Sequence, residues 1–504
     1  MQNSLRSILI VGGGTAGWMT AAYLNRFLDP AKCQITLVES ADLGTIGVGE
    51  ATVPPLVAYL RMIGVDEDDF MTQCNATYKL GIKFSGWNNG AAGGDSFWHP
   101  FGPNGGSPDG LPLFHHWLRE HQAGREPAPY AAFSPQMVLG EMNRAPRSLT
   151  QESIVTSQGA YAFHLDAKAF ANYLMRLATW RGVQHLTDDV SEVTLDDAGD
   201  IETVRTKKGR TLSADLYIDC SGFAGLLIEQ ALGDKHLDWS RYLLCDRAVV
   251  LQVPNEGPMT PYTRSTALSA GWAWRIPLAQ RTGSGYVYSS HFTSAEDAES
   301  ELVAHMGQDR ARVKPGHLNM RIGRRENFWV RNCVAVGLAA GFLEPLESTG
   351  IFMIQKGLEL LLDHFPDRNF TPVLAREYNA RMGRVYDEMR DFILLHYLLN
   401  QREEPFWKAS RSVLVPPSLA HTLDYYDRTG LTNWEHPTLF HDPSFYAIAT
   451  GMGRLPRTGH AMAAYADSAL VTRAFDAIKA QNFALAQAMP DHADLIAALH
   501  ARAA

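Results

Sequence analysis

Ser7-Ile-Leu-Ile-Val11, followed without a spacer by Gly12-Gly-Gly-Thr-Ala-Gly17, is the stretch that decides the fold. Ile8 to Val11 are apolar without interruption, the pattern of a parallel strand buried on both faces. The glycines at 12, 14 and 17 then read as GxGxxG. Gly12 allows a tight turn, Gly14 lets the backbone approach a pyrophosphate, and Gly17 lets a helix pack on the strand. Thr15 and Ala16 complete the loop. Residues 18–28 read as the helix whose N-terminal N–H groups receive the phosphates. A second strand, 34–38, ends at Glu39, about 20 residues on, where an acidic group holds a ribose hydroxyl. Strand, turn, helix, strand and acid in this order predict a dinucleotide-binding α/β fold.

Two later segments select FAD. Ala214-Asp-Leu-Tyr-Ile-Asp-Cys-Ser-Gly222 and Asn332-Cys-Val-Ala-Val-Gly-Leu-Ala-Ala-Gly-Phe342 both read as strands ending in small residues, the second followed by a helix. FAD spans such a fold from adenine near the start to flavin far downstream. No second glycine fingerprint exists for a tightly held NAD(P)H, so reduced flavin has to come from outside.

Composition narrows the class. The chain has 504 residues, 46% hydrophobic and 20% charged, which is ordinary for a globular protein. A net charge of −9 gives no electrostatic case for nucleic acid or an anionic membrane. Five scattered cysteines, with no CxxC, fit a reducing cytoplasm and argue against a thiolate metal site. His115, His116 and His164 have no metal-ligand spacing. No signal-peptide pattern precedes residue 7, and no apolar run approaches the roughly 20 residues of a membrane span. The expectation is a cytoplasmic protein with no metal, nucleic-acid or membrane partner.

Further motifs carry the chemistry. In Gly271-Trp-Ala-Trp-Arg-Ile-Pro277, a strand puts Trp272 and Trp274 on one face, because side chains alternate, and Pro277 removes a ladder donor. Tyr78-Lys-Leu-Gly-Ile-Lys-Phe84 carries lysines at 79 and 83; as one strand it would show both on the same face, and spacing does not choose between them. Pro345-Leu-Glu-Ser-Thr-Gly350 precedes an apolar helix with Ile351, Ile354, Leu358 and Leu361 at helical spacing. There Glu347 reads as a dipole-favoured capping carboxylate and Ser348 as an N-cap, or both as site residues. Phe97-Trp-His-Pro-Phe101 lies in a stretch, 88–110, with seven glycines in 23 residues; loops of this length are usually functional or disordered.

Together GGGTAGW (12–18), GVGEATVP (47–54), YKLGIKFSGW (78–87), FWHPF (97–101), GWAWRIP (271–277) and PLESTGI (345–351) resemble the flavin-dependent halogenases of the tryptophan-halogenase type, from Ile8 to about Gly453. The resemblance implies that reduced FAD and O2 form a flavin hydroperoxide, from which halide takes oxygen to give hypohalous acid. That acid travels through the protein to a separately held aromatic substrate. It selects Lys79, as hydrogen-bond donor to hypohalous acid or as a haloamine carrier, and Glu347 as the base that removes the ring proton. Ser348 is implied to place both. It puts chloride or bromide on the amides of Thr349 and Gly350, which alternatively contact the flavin's pyrimidine edge, and counts Val190 and Gly337 among the cofactor contacts. Trp272 and Trp274 become a wall between flavin and substrate, while His99 and Phe101 line the substrate pocket.

The same resemblance implies an FAD-binding Rossmann-like body of the GR2, aromatic-hydroxylase-like type with an additional β-sheet, residues 1–365, and a mostly α-helical substrate-covering part, 366–504. Within the latter, residues 387–399 read as an amphipathic helix. The aromatic segment with which tryptophan-specific members clamp the amino-acid end has no counterpart. Residues 431–437 and Phe445-Tyr446 stand there instead, making Trp434, Phe445 and Tyr446 pocket candidates, with core packing the competing reading. The expected substrate is therefore an indole or another electron-rich aromatic rather than free tryptophan. A separate flavin reductase is the expected partner, and a homodimer is left open. The competing functional readings are an FAD-dependent aromatic monooxygenase and a non-catalytic flavin-binding protein.

Overall fold

The computed structural model describes residues 3–41, 49–89, 94–107, 109–433 and 438–503. Contacts divide the chain into two units. The first comprises Met1–Asn75, Leu165–Ser240 and Met320–Met389; the second comprises Ala76–His164, Arg241–Asn319 and Arg390–Ala504. These units do not follow a cut at residue 365, because residues 320–389 group as one piece with the N-terminal strands.

In the first unit the Ile8–Val11 run is buried, as its composition requires. Ser7–Val11 lies in a six-stranded sheet with the order Trp329–Val330, Cys333–Ala335, Leu216–Asp219, Ser7–Val11, Gln34–Glu39, Gln184–Thr187. All neighbours are parallel except the pair Trp329–Val330 with Cys333–Ala335. The two late segments thus form adjacent strands of the same sheet, beginning beside Ser7–Val11. Helix Thr15–Phe27 packs against helices Ala167–Trp180 and Gly350–Asp363. Two smaller sheets accompany this body. One joins Val190–Leu195, Ile201–Thr206 and Thr211–Leu212; the other joins His236–Asp238, Gly323–Arg325 and Gly341–Phe342.

In the second unit a seven-stranded sheet runs Gly316–Asn319, Arg247–Val253, Thr282–Tyr288, Gly271–Pro277, Thr263–Leu268, Gly81–Ser85, Ser96–Pro100. Gly271–Pro277 is fully sandwiched, antiparallel to both neighbours. Gly271 has φ +156°, and a Cβ there would meet Val287 O at 2.0 Å, so the strand begins where only glycine fits. Apart from this sheet, Thr77–Lys79 pairs antiparallel with Ala162–Leu165.

Beyond residue 365 the expected helices are present: Pro372–Leu399, Pro405–Arg411, Pro417–Thr429, Asp442–Gly451, Ser468–Ala488 and His492–Ala503. The first begins at Pro372, well ahead of the expected 387. Asp467 caps Ser468–Ala488 by accepting from the Ala469 and Leu470 N–H groups. Among the described residues no helix is long and apolar enough to cross a membrane, and no group of three His, Cys, Asp or Glu is placed to hold a metal.

Candidate active site

The first unit carries the glycine loop. Gly12 has φ +107°, and a Cβ there would lie 2.2 Å from the Cys220 carbonyl, so the turn presses against the end of Leu216–Asp219. A Cβ on Gly17 would lie 1.9 Å from Gly12 O, which is the close helix-to-strand packing expected of the third glycine. At Gly14, the N-cap of helix Thr15–Phe27, a Cβ would meet nothing within 4 Å among the described residues. Among the described residues no side chain caps that helix, and no acidic residue occupies its first turn. Its first N–H groups lie at the positive end of the helix dipole. Thr15 and Ala16 are the first two residues of this helix.

Glu39 ends the second strand with its carboxylate against the loop. A Cβ on Gly13 would sit 1.6 Å from Glu39 Oε2, and Oε1 lies 2.7 Å from His185 Nε2. Gly337, with φ +69°, returns to the same loop, and its Cβ would be 2.6 Å from the Ala16 Cβ. Val190 opens the strand Val190–Leu195, just past Asp188, whose N–H bonds Glu39 O. A helix N-terminus without a side-chain cap, an adjacent carboxylate and glycine-tight packing fit a dinucleotide.

The same unit holds the PLEST turn. Pro345 starts a short 3-10 turn ending at Glu347, which is buried, and Ser348 follows with φ +61°, ψ 35°. That left-handed conformation is uncommon for serine and marks backbone strain. Ser348 is thus not the N-cap that the sequence allowed; Thr349 holds that place, without a side-chain capping bond. Helix Gly350–Asp363 follows, with Ile351, Ile354, Leu358 and Leu361 buried as their spacing predicts. Its own first turn contains no acidic residue, so the amides at Thr349 and Gly350 lie at the positive end of the helix dipole, with Glu50 Oε1 3.8 Å from where a Cβ on Gly350 would stand.

Lys79 lies in the second unit. The Tyr78–Phe84 stretch is not one strand: it breaks at Leu80 into Thr77–Lys79 and Gly81–Ser85, which belong to different sheets. The two lysines therefore part company. Lys83 reaches Glu141 at 2.6 Å near the surface, whereas Lys79 is 0% exposed, its Nζ 5.0 Å from the centre of the Phe101 ring. Phe101 and His99 are both buried, with ring centres 6.3 Å apart. His99 also lies 5.7 Å from Phe392 and from Phe440, which stack on each other at 4.0 Å. Phe392 and Phe440 escaped the sequence reading. The helical periodicity near Phe392 was visible, but nothing in the sequence tied it to His99.

Trp272 and Trp274 share one face of Gly271–Pro277, their rings 6.0 Å apart. Both are buried, and neither indole N–H has a hydrogen-bond partner among the described residues. Gly285, opposite Trp274, makes the room: a Cβ there would be 2.2 Å from the indole. Phe445 and Tyr446 sit on helix Asp442–Gly451 in an aromatic core, Tyr446 stacked on Phe114 at 3.7 Å and Phe445 edge-on to Tyr426 at 5.0 Å. Core packing describes their surroundings. Trp434 lies outside the described residues.

Comparison with known proteins gives one answer. The tryptophan halogenase family model matches residues 7–468. Tryptophan 6-halogenase SttH of Streptomyces toxytricini is 38% identical over 520 residues, covering 98% of each chain. Tryptophan 7-halogenase RebH of Lentzea aerocolonigenes is 36% identical over 538 residues, covering 100% of each. The structure of BrvH, a flavin-dependent halogenase from Brevundimonas sp. BAL3, matches with a TM-score of 0.91 at 38% identity, covering 98% of this chain and 99% of that one. The chain therefore belongs to the tryptophan halogenase family and is a flavin-dependent halogenase.

Proposed function

We propose that the enzyme installs bromine or chlorine on an electron-rich aromatic of indole type, using FADH2 delivered by a separate reductase. The observation that carries this reading is Lys79, a wholly buried ammonium beside Phe101, in a cluster that continues through His99 to Phe392 and Phe440. An ammonium is costly to bury, and an aromatic-lined setting suits a flat apolar ring more than a surface ion pair.

The loop Gly12, Gly14, Thr15, Ala16, Gly17, with Glu39, Val190 and Gly337, would hold the cofactor. Bound reduced FAD, with O2 and halide, supplies hypohalous acid. The amides of Thr349 and Gly350 receive the halide beforehand. Lys79 donates a hydrogen bond to the hypohalous oxygen, so that its proton leaves with that oxygen as water while the ring takes the halogen. Carriage of the halogen on Lys79 as a haloamine is the other route open to the same nitrogen. Glu347 accepts the proton from the halogenated ring carbon and restores aromaticity; a base of this kind is worth roughly 10²–10⁴-fold. Ser348, held in its strained turn, positions Glu347. Trp272 and Trp274 keep the substrate from the flavin, and residues 366–504 cover the substrate.

Substrate size is the finer part of the proposal. The relatives at 36–38% identity are named for attack at position 6 or position 7 of tryptophan, so likeness alone fixes no ring position. An indole without the amino-acid end is the expected substrate. The test is a panel of indole and tryptophan, each with bromide, chloride or neither, with product masses recorded. Halogenated indole formed faster than halogenated tryptophan supports the reading; a hydroxylated product formed regardless of halide overturns it.

A further inference from the structure

Lys79 sits on a strand of three residues, too short to be held by its ladder alone. Two buried histidines, far apart in sequence, complete the hold. The Tyr78 N–H donates not to the paired strand but to His492 Nε2, at 3.1 Å. His492 Nδ1 lies 2.8 Å from the Met259 carbonyl, which can only accept, so the proton is on Nδ1 and Nε2 is the free acceptor. His492 is itself anchored: its backbone N–H bonds Asn143 O at 2.9 Å, and Ala145 N–H bonds Pro490 O at 3.0 Å.

On the other side, Thr77 shares Lys79's face and stands opposite His164 in the ladder. The Thr77 hydroxyl donates to Pro277 O at 2.6 Å. His164 Nδ1, 3.2 Å from that hydroxyl oxygen, is therefore the donor, and Thr263 donates to His164 Nε2 at 2.9 Å. One directed chain thus ties Thr263 through His164 and Thr77 to the last residue of the Trp272–Trp274 strand. Burial holds both imidazoles neutral, and the nearby Lys79 ammonium adds to the effect at His164.

We propose that His492 and His164 are positioning residues for Lys79: they clamp its strand from two sides, one supplying the acceptor an edge strand lacks and the other fixing Lys79's neighbour to the tryptophan strand. The proposal rests on Lys79 directing the halogen. It assigns the C-terminal helix His492–Ala503 a part in holding the lysine's strand.

The test compares His492→Phe, which keeps a ring but no acceptor, with His492→Gln, which keeps an acceptor. His164→Phe is made independently, so that misfolding of one variant leaves the other decisive. Each is assayed with bromide and indole for brominated product and hydrogen peroxide per FADH2 consumed, alongside melting and FAD affinity. The expected result is at least a tenfold loss of product to peroxide in both Phe variants, with FAD affinity and indole KM within threefold of wild type. His492→Gln should retain at least a third of the wild-type yield. A purely structural role would lower melting without moving the product-to-peroxide ratio, and that outcome overturns the proposal. So does a folded His492→Gln variant as uncoupled as the Phe variant. Lys79→Ala is run beside them. If it still brominates, the Lys79 reading itself fails; if it is inactive while the Phe variants remain coupled, only the clamp fails.

Discussion

Lowering the pH from 7.5 to 5 should destabilise the second unit through histidines that are buried neutral. His492 and His115 are each pushed down to about 4, in both cases first by burial; for His115 the neighbouring His460 and His116 add to it. His164 is held well below the usual histidine range by burial, with the Lys79 ammonium and His492 adding to it. The sign follows from where the protons go. Between the unfolded value of 6.5 and the folded value, only the unfolded chain takes up protons, so stability is full above 6.5 and is lost as pH falls toward 4. At pH 5 the loss is about 1.4 kcal/mol for each of the 1.5 units below 6.5, or roughly 2 kcal/mol each for His492 and His115. His492 and His115 together lose roughly 4 kcal/mol, a large share of the 5–15 kcal/mol typical of a folded domain, and His164 acts in the same direction. The carboxylate of Glu229, held down at about 2 first by Arg321, loses its contribution only below 4.5 and leaves this window clear. Urea unfolding at pH 7.5, 6.5, 5.5 and 5 measures the effect, and His492→Gln should recover roughly 2 kcal/mol of it at pH 5. A midpoint that stays level from pH 7 to 5, or an identical slope in the Gln variant, would refute the reasoning.

Other consequences follow from the same geometry. Gly14→Ala should leave melting unchanged or slightly raised, because its Cβ meets nothing, yet weaken FAD binding at least tenfold by flavin fluorescence titration. Gly12→Ala should instead fail to give folded protein, since its Cβ would strike the Cys220 carbonyl. Gly285→Ala should displace the Trp274 indole, cost about 1–3 kcal/mol of stability, and raise the peroxide released per FADH2 consumed. Glu347→Gln should lower the halogenation kcat about 10²–10⁴-fold with FAD affinity unchanged, measured by product formation in single turnovers.

Much of the first unit was legible because its signals are local. Four apolar residues, three glycines and an acid at fixed offsets are imposed by one cofactor-shaped turn, and the late strands join the same sheet, Leu216–Asp219 beside Ser7–Val11 and Cys333–Ala335 beside Leu216–Asp219. The tryptophan strand was legible for the same reason, its alternation and terminal proline being properties of a single strand. The rest depended on partners distant in sequence. Lys79 and Lys83 fall in separate sheets because the chain turns at Leu80, whose N–H bonds Pro261 O, and no pattern within Tyr78–Phe84 announces that bond. Ser348 adopts a left-handed conformation that residue type disfavours, and the N-cap moves on to Thr349. Phe392 and Phe440 reach His99 from the region beyond residue 365, whereas Tyr446, equally aromatic, is taken up by Phe114. His492 is buried against Tyr78, more than 400 residues away in sequence, and no local pattern signals that contact.

The most direct test of the central claim is mass spectrometry of one assay: enzyme, FAD, a separate flavin reductase, NADH, air, bromide and indole, with wild type beside Lys79→Ala and Lys83→Ala. The account predicts brominated indole from wild type and from Lys83→Ala, and only hydrogen peroxide from Lys79→Ala. Brominated indole from Lys79→Ala at the wild-type level, or an oxygenated product that forms equally without bromide, would contradict it.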